Sequence, residues 1–361
     1  MKYTFLGQTG LKVSELCLGA MTFGTDWGWG ADESESRKIF DAFTDVGGNF
    51  IDTADAYTGG TSEQYLGSFI KGQRDRFVIA TKYTIGTDPE NANAFGNGRK
   101  NFMASLDASL KRLETDYIDL YYAHMWDGFT PVEEVIRAME DAIRAGKVLH
   151  FGLSDFPAWL ASRADALAEL MHLTRPAALQ IEYNLAQRDA DRELLPMAEA
   201  LGLSVLDWSP LGGGVLTGKM LEGDTAGRVA TGAVGHFNKY KSEQALSVAK
   251  VVVEEAKKLG CSPAQLAIAW LRQISPIHIP IIGARSAAHV ADNLKAVEVT
   301  IPEDTALRLD KASRVPLGFP SDFFPEGWPA WFGEWPKTFD SRLRPLGRRA
   351  LKLDEDWPRR Q

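Results

Sequence analysis

The chain has 361 residues, 45% of them hydrophobic and 24% charged, which is a globular composition with ample material for a core. A formal net charge of -8 argues against nucleic acid or an anionic membrane surface as partner. The opening "MKYTFLGQTG" meets Gln8 and Gly10 before any long apolar run, and no stretch approaches the roughly 18 apolar residues of a membrane span. The expectation is a cytoplasmic protein whose two cysteines, Cys17 and Cys261, are buried, reduced thiols.

In chain order, "YTFLGQTGLKVSEL" alternates around a Gln-Thr-Gly turn and predicts a small β-hairpin. Eight short apolar segments then predict strands: 16–23, 49–54, 77–83, 117–124, 149–155, 178–184, 204–210 and 277–284. Amphipathic helical patterns lie between them, among them 99–114 and 131–147, the second with Pro131 placed for a first turn and Gly146 for a C-terminal stop. After the second strand, "TSEQ" predicts a helix start, with Thr61 or Ser62 as cap and Glu63 complementing the dipole. Residues 212–241 are long, glycine-rich and poorly periodic, a large loop after the seventh strand. "SPAQLAIAWLRQI" predicts one extra helix before the last strand. Apolar strands separated by helices imply a parallel sheet covered on both faces, and eight such units imply a (β/α)8 TIM barrel, in the α/β class. An open doubly wound sheet is disfavoured, because no Gly-x-Gly-x-x-Gly follows the first strand. One barrel domain is expected over 1–361, its core at about 1–312. The extension from about 313 to 361 is aromatic-rich and expected to pack across the barrel. Its basic end is expected to be a solvated surface.

Chemistry in such a barrel sits at the C-terminal strand ends. Asp52 ends the second strand with Tyr57 just beyond it; Lys82 and His124 stand at the ends of the next two. A buried carboxylate and a buried lysine are each costly unless paired. A paired ammonium beside Tyr57 is expected to lower the phenol's pKa from its ordinary value of about 10. The phenol could then donate a proton to an oxygen becoming an alkoxide, with His124 holding the same oxygen. That set suits carbonyl reduction, and the hydride must come from a cofactor. Asp55 is expected to form the turn before Tyr57. Trp27, Trp29 and Trp126 are candidate pocket walls, with Trp27 and Trp126 taken as substrate contacts and no metal expected.

The motifs "IDTADAY" with "SEQYLG", "ATKY", "YIDLYYAH", "FGLSD", "QIEYN", "WSPLGGGVLTGK" and "IIGARSAAHVADNL" occur in this order. Over roughly residues 1–312 the chain resembles the aldo-keto reductases, (β/α)8 barrels that use NADPH without a Rossmann domain. The resemblance implies Tyr57 as general acid, tuned by Lys82 and Asp52, with His124 orienting the carbonyl. It implies NADPH contacts at Thr22, Ser154, Asp155, Gln180, Trp208, Ser209, Leu211, Gly213, Lys219, Gly283, Arg285, His289, Asp292 and Asn293. Trp208 would stack on the nicotinamide, Ser154 and Gln180 would hold its carboxamide, and the loop from 212 would close over the pyrophosphate. Arg285 would take the 2′-phosphate, since a guanidinium suits bidentate phosphate recognition. The chain departs from the family pattern at Asp155 (usually asparagine), His289 (usually glutamine or arginine) and Asp292 (usually glutamate), which leaves NADH possible as well as NADPH. If Trp27, Trp126 and tail aromatics line the mouth, the expected partner is a bulky, partly apolar carbonyl small molecule, with aldehydes, quinones, keto-sugars and ring ketones of natural products or xenobiotics all open, or the corresponding alcohol in the reverse direction. Two rival readings are a Schiff-base lyase using Lys82 and an NADPH-binding auxiliary barrel without turnover.

Overall fold

The computed structural model of the protein describes residues 1–223, 235–323 and 331. Part of the long loop (224–234), Trp328 and Trp335 of the tail, and the basic end lie outside the described residues. The predicted hairpin is present as antiparallel β1 (Tyr3–Phe5) and β2 (Lys12–Ser14), with Tyr3 opposite Ser14.

All eight segments read as barrel strands form strands, most of them trimmed at the ends: β3 (Cys17–Gly19), β4 (Phe50–Asp52), β5 (Val78–Tyr83), β6 (Ile118–Ala123), β7 (Val148–Ser154), β8 (Ala178–Glu182), β9 (Ser204–Trp208) and β10 (His278–Gly283). They close into a barrel in the order β10-β3-β4-β5-β6-β7-β8-β9. The largest trim is at β3, where the chain turns after Gly19 and the Phe23 N–H donates back to the Ala20 carbonyl at 2.9 Å.

The helices are α1 (Glu33–Thr44), α2 (Thr61–Ile70), α3 (Arg99–Arg112), α4 (Val132–Arg144), α5 (Ala158–Leu170), α6 (Leu194–Leu201), α7 (Glu243–Leu259), α8 (Pro263–Ile274), α9 (Ala287–Leu294) and α10 (Glu303–Ser313). In α4 the buried Val132, Val135, Ile136 and Met139 recur at three- and four-residue spacing, one apolar stripe on a helix with a polar outer face. Pro131 sits one position earlier than expected, at the cap, and Gly146 stops the helix at a φ of +72°. The extra helix α8 opens with a capping box between Ser262 and Gln265. Cys17 is buried, whereas Cys261 is only partly covered, correcting the expectation of two buried thiols. Among the described residues, no helix is long and apolar enough to cross a membrane.

Two compact units divide the chain. One comprises Met1–Ile181, Gly202–Trp208 and Ile279–Val297; the other comprises Glu182–Leu201, Ser209–His278 and Glu298–Gln361. In the first, Cys17, Phe50, Ala80, Leu120, Tyr122, Ala178, Leu206 and Ile281 belong to one buried cluster inside the barrel. The fully buried Leu120 and Leu206 side chains each contribute roughly 1.5–3 kcal/mol. Tyr122 fills so much of the interior that Gly152 has no alternative: a Cβ there would lie 2.3 Å from the Tyr122 ring. Side chains alternate along a strand, so the next inward positions toward the C-terminal ends are Asp52, Lys82, Ser154, Gln180, Trp208 and Gly283. The polar candidates are therefore the uppermost layer of the core.

In the second unit, the buried Arg188 guanidinium donates to Asp191 at 2.6 Å, Asp310 at 3.2 Å and Ser313 at 2.8 Å. It lies 4.9 Å from the centre of the Trp270 ring, a satisfied buried cation that ties α10 to the segment before α6. The described tail aromatics pack on one another, with Phe323 4.9 Å from Trp331 and 5.8 Å from Phe319.

Candidate active site

Asp52 ends β4, and Lys82 stands one residue before the end of β5 on the neighbouring strand, in a register that pairs Asp52 with Ala80. Inward side chains two residues apart on adjacent strands thus meet at the rim. The Lys82 ammonium is fully buried and donates to Asp52 Oδ2 at 2.6 Å, to the Thr53 carbonyl at 2.7 Å and to Tyr57 Oη at 3.2 Å. Its three protons thus have three acceptors. The second Asp52 oxygen accepts from Gln180 Nε2 at 2.9 Å. Burial pulls the Lys82 pKa down, but Asp52 and Tyr57 outweigh it and the net direction is up. The lysine is held as a cation.

Tyr57 opens a tight turn (Tyr57–Gly60) in which Thr58, Gly59 and Gly60 all have positive φ: +49°, +64° and +98°. A β-branched residue rarely adopts such a backbone. Thr58 is held there by two hydrogen bonds of its hydroxyl, donating to Phe23 O at 2.6 Å and accepting from Ser62 N–H at 3.2 Å. This arrangement replaces the expected cap. Neither Thr61 nor Ser62 caps α2; Gly60 occupies the cap position, and the buried Ser62 hydroxyl bonds to Thr53 and to the Ala20 carbonyl. Glu63 is also buried rather than merely facing the dipole: it accepts from Thr81 at 2.6 Å and pairs with Arg112 at 2.6 Å. Asp55 departs from its expected role too. Its backbone N–H donates to Lys82 O at 3.1 Å, while both carboxylate oxygens are buried without a hydrogen bond.

The pKa of Tyr57 moves opposite to the sequence expectation. Burial raises it, Lys82 pulls it back without prevailing, and Asp52 adds to the rise. Because Lys82 uses its own proton toward Tyr57, the phenol hydrogen remains free to donate elsewhere. His124, just past β6, lies with its ring centre 5.8 Å from that of Tyr57 at 77°. Its backbone N–H is fixed by Tyr83 O at 3.0 Å and Thr84 Oγ1 at 3.1 Å. Burial and then Lys82 hold the imidazole well below its usual pKa, so it is neutral, and its Nδ1 is buried without a partner. Trp27, half-exposed, presents an edge contact to Tyr57 at 6.3 Å and packs on Trp29 at 5.4 Å. Trp126 is also part-exposed, two residues beyond His124.

The remaining candidates fall in both units. In the first, Ser154 is buried at the end of β7, and Asp155, at a φ of +48°, accepts from Trp208 Nε1 at 3.1 Å. Gln180 therefore faces Asp52 with its amide nitrogen, and Thr22 donates its hydroxyl to Ala284 O at 2.6 Å. Gly283, Arg285 and His289 are exposed around the start of α9, Asp292 is half-buried and Asn293 buried. The first backbone N–H of α9, at Ala287, is taken by Glu35 at 2.9 Å. In the second unit, Ser209 has a φ of +57° and its hydroxyl accepts from Gly213 N–H at 3.0 Å. Gly212, Gly213 and Gly214 follow at positive φ, with Leu211 before them and Lys219 beyond.

A family model described as the aldo/keto reductase family matches residues 15–314. The chain belongs to that family. Its curated relatives include norsolorinic acid reductase of Aspergillus flavus, 35% identical over 324 residues, covering 87% of this chain and 81% of the relative. The NADP(+) aryl-alcohol dehydrogenase of Phanerodontia chrysosporium is 34% identical over 338 residues, covering 88% and 87%. An oxidoreductase of Bacillus subtilis, YrpG, is 38% identical over 318 residues, covering 84% and 93%. The chain is thus an aldo/keto reductase-family oxidoreductase, in a family that generally uses NADP(H) on small carbonyl or alcohol compounds. Sequence reading passed over the surroundings that hold the site. Asp127 accepts from Asn97 N–H at 2.8 Å and from Phe129 and Thr130 N–H at 3.1 and 2.9 Å, clamping the loop that carries Trp126. The Asp-Gly dipeptide at 127–128 was its available signal.

Proposed function

We propose that this aldo/keto reductase reversibly reduces an aryl or ring carbonyl to its alcohol, with hydride from NADPH and Tyr57 as the proton donor. The observation that carries this reading is the Lys82 ammonium placed between Asp52 and the Tyr57 oxygen, beside a neutral His124. The donor set fits a nicotinamide nucleotide. Trp208 offers an indole at a strand end, its N–H anchored on Asp155. Ser154 and the oxygen of Gln180 offer polar atoms in the same inward layer, and Arg285 is an exposed cation at the start of α9. When bound, NADPH supplies the hydride.

The protein's own work is on the carbonyl oxygen. Tyr57 holds its proton at neutral pH because burial raises its pKa. As negative charge builds on the substrate oxygen, the phenol gives up that proton, and the phenolate formed is stabilised by the Lys82 ammonium at 3.2 Å. Asp52 and Gln180 keep the ammonium from moving away. Neutral His124 can donate to the same oxygen from its Nε2 without competing to protonate it. In the oxidation direction the same groups run backwards, with Tyr57 taking the alcohol proton. The lyase reading is disfavoured, because a charged lysine with all three protons engaged has no lone pair for a Schiff base. The substrate class rests on the relatives named for norsolorinic acid and aryl alcohols.

The test is NADPH oxidation with a panel of aryl aldehydes and ring ketones, for the unaltered protein and for Tyr57→Phe. The variant should keep cofactor affinity and lose about 100- to 10,000-fold in kcat. Unchanged turnover in Tyr57→Phe removes the assigned acid. Tight NADPH binding with no carbonyl turned over favours the auxiliary barrel.

A further inference from the structure

Beside the site, on the same C-terminal rim of the barrel, lies a groove of about 240 Å³ between the loop after β6 and the start of α5. Its walls are Trp126, Phe129 and Trp159, which are 39%, 68% and 62% exposed. Trp126 and Trp159 meet edge to face at 6.0 Å and 86°. Three large aromatics left in water at one place mark a binding surface rather than scattered apolar residues. The loop holding two of them is already rigid. The Asp127 carboxylate gathers three backbone N–H groups and the Thr130 hydroxyl, and Asn97 donates to Met125 O at 2.8 Å. A surface fixed before binding loses little entropy when occupied.

We propose that this groove is a second subsite for the same reaction, taking the distal ring of a multi-ring aryl carbonyl whose reacting group sits at Tyr57 and His124. The assignment rests on the proposed function. Two observations select the occupant. The groove begins at Trp126, only two residues beyond His124, so the Cα atoms of these two residues lie within about 7 Å of each other. The charged groups in it, Arg163 and Glu133, are paired with each other, so the lining offers aromatic faces and no uncompensated charge. A neutral planar ring matches both; an ionic tail does not. Trp159 stands in the first turn of α5, whose buried residues are Leu160, Ala161, Ala164, Asp165 and Ala168, and its own indole is left exposed.

The experiment compares benzaldehyde with anthracene-2-carbaldehyde in the full-length protein carrying Trp159→Ala, Phe129→Ala or Trp159→Phe. Both Ala variants remove exposed side chains, and thermal melts check that the fold is kept. For the three-ring aldehyde, KM should rise about 3- to 10-fold in each Ala variant, with kcat little changed and Trp159→Phe largely restoring it. For benzaldehyde, kcat/KM should stay within about twofold of the unaltered protein. Equal effects on both aldehydes, or none on the larger, overturn the subsite. Binding of anthracene-2-methanol, followed by tryptophan fluorescence, supplies a readout independent of turnover. If neither aldehyde is reduced but the alcohol binds and the Ala variants weaken it, the proposed function fails and the groove stands. If the alcohol does not bind, or binds equally to all variants, the groove fails.

Discussion

Replacing Asp55 with asparagine should make the stability of this protein less sensitive to pH. The Asp55 carboxyl is 2% exposed, and neither oxygen has a hydrogen bond. Burial pushes its pKa from 3.8 up to about 7, and Glu63 pushes the same way. Arg112, Ser105 and the Ala56 N–H lie near enough to pull it back without reaching hydrogen-bonding geometry. The folded state therefore binds this proton more tightly than the unfolded chain does. The stability so contributed is complete below the unfolded pKa, near 4, and is lost as pH rises through about 7. Three pKa units correspond to about 4 kcal/mol across the whole window, and the two units above pH 5 to about 3 kcal/mol. Local relaxation of a buried carboxylate reduces this further, so about 2 kcal/mol is the expected shift. Asparagine is of similar shape and cannot ionise. Urea unfolding midpoints of the two proteins at pH 5, 6, 7 and 8 measure the effect. The variant should gain on the parent from pH 5 to about 7 and little beyond. A difference that is constant with pH, or one that moves against the variant, means that Asp55 is paired or solvated and the turn before Tyr57 holds no strained acid.

Lys82→Met should abolish carbonyl reduction and destabilise the fold by about 3–5 kcal/mol, because Asp52 is left charged and buried. Adding Asp52→Asn should recover much of the stability, read from unfolding midpoints, and none of the activity. In the reduction direction, kcat/KM should be flat through the neutral range and fall only above the ordinary phenol pKa of about 10, because the Tyr57 pKa is raised. A falling limb centred near pH 7 would contradict that assignment. Arg285→Ala should raise KM for NADPH about 10- to 100-fold while leaving that for NADH nearly unchanged, the difference expected for losing a charge-assisted phosphate contact.

The barrel was legible because its strands, buried on both faces, leave long apolar runs that no other local structure explains. The grouping of Asp52, Lys82 and His124 was legible because they stand at or near the ends of those runs. Errors arose where a residue's partner lies far along the chain. Glu63 stands in the first turn of α2, where the helix-start rule puts it, but its partners Thr81 and Arg112 were not legible. Asp55 has the composition of a turn former, but the turn is held by the hydroxyl of Thr58. The direction of the Tyr57 shift was missed for a related reason. The spacing of Tyr57 and Lys82 motifs reveals an attracting charge, whereas desolvation depends on the whole enclosing wall, which no local pattern encodes. Trp126 and Trp159 are 33 residues apart and share nothing in sequence beyond type, so their groove becomes visible only once β6 and β7 are neighbours.

One alternation accounts for both what was legible and how the site works. Inward positions on β4, β5, β6 and β8 carry Phe50, Ala80, Tyr122 and Ala178 in the buried cluster, and the next inward positions on β4, β5 and β8 carry Asp52, Lys82 and Gln180. The ion pair is therefore not an insertion into a finished core but its top layer, held from below by close-packed side chains. That placement explains why an ammonium can be fully buried yet keep three acceptors: each comes from backbone or side chain already fixed by the sheet or by the turn leaving it. On the proposed mechanism it also accounts for the strained turn. Strand positions can supply the charges, but the proposed proton donor must stand beyond the last strand residue and reach back to the Lys82 ammonium. The left-handed run from Thr58 to Gly60 gives Tyr57 that position. Straightening this turn, even with all four side chains retained, would separate the phenol from the ammonium that stabilises its anion.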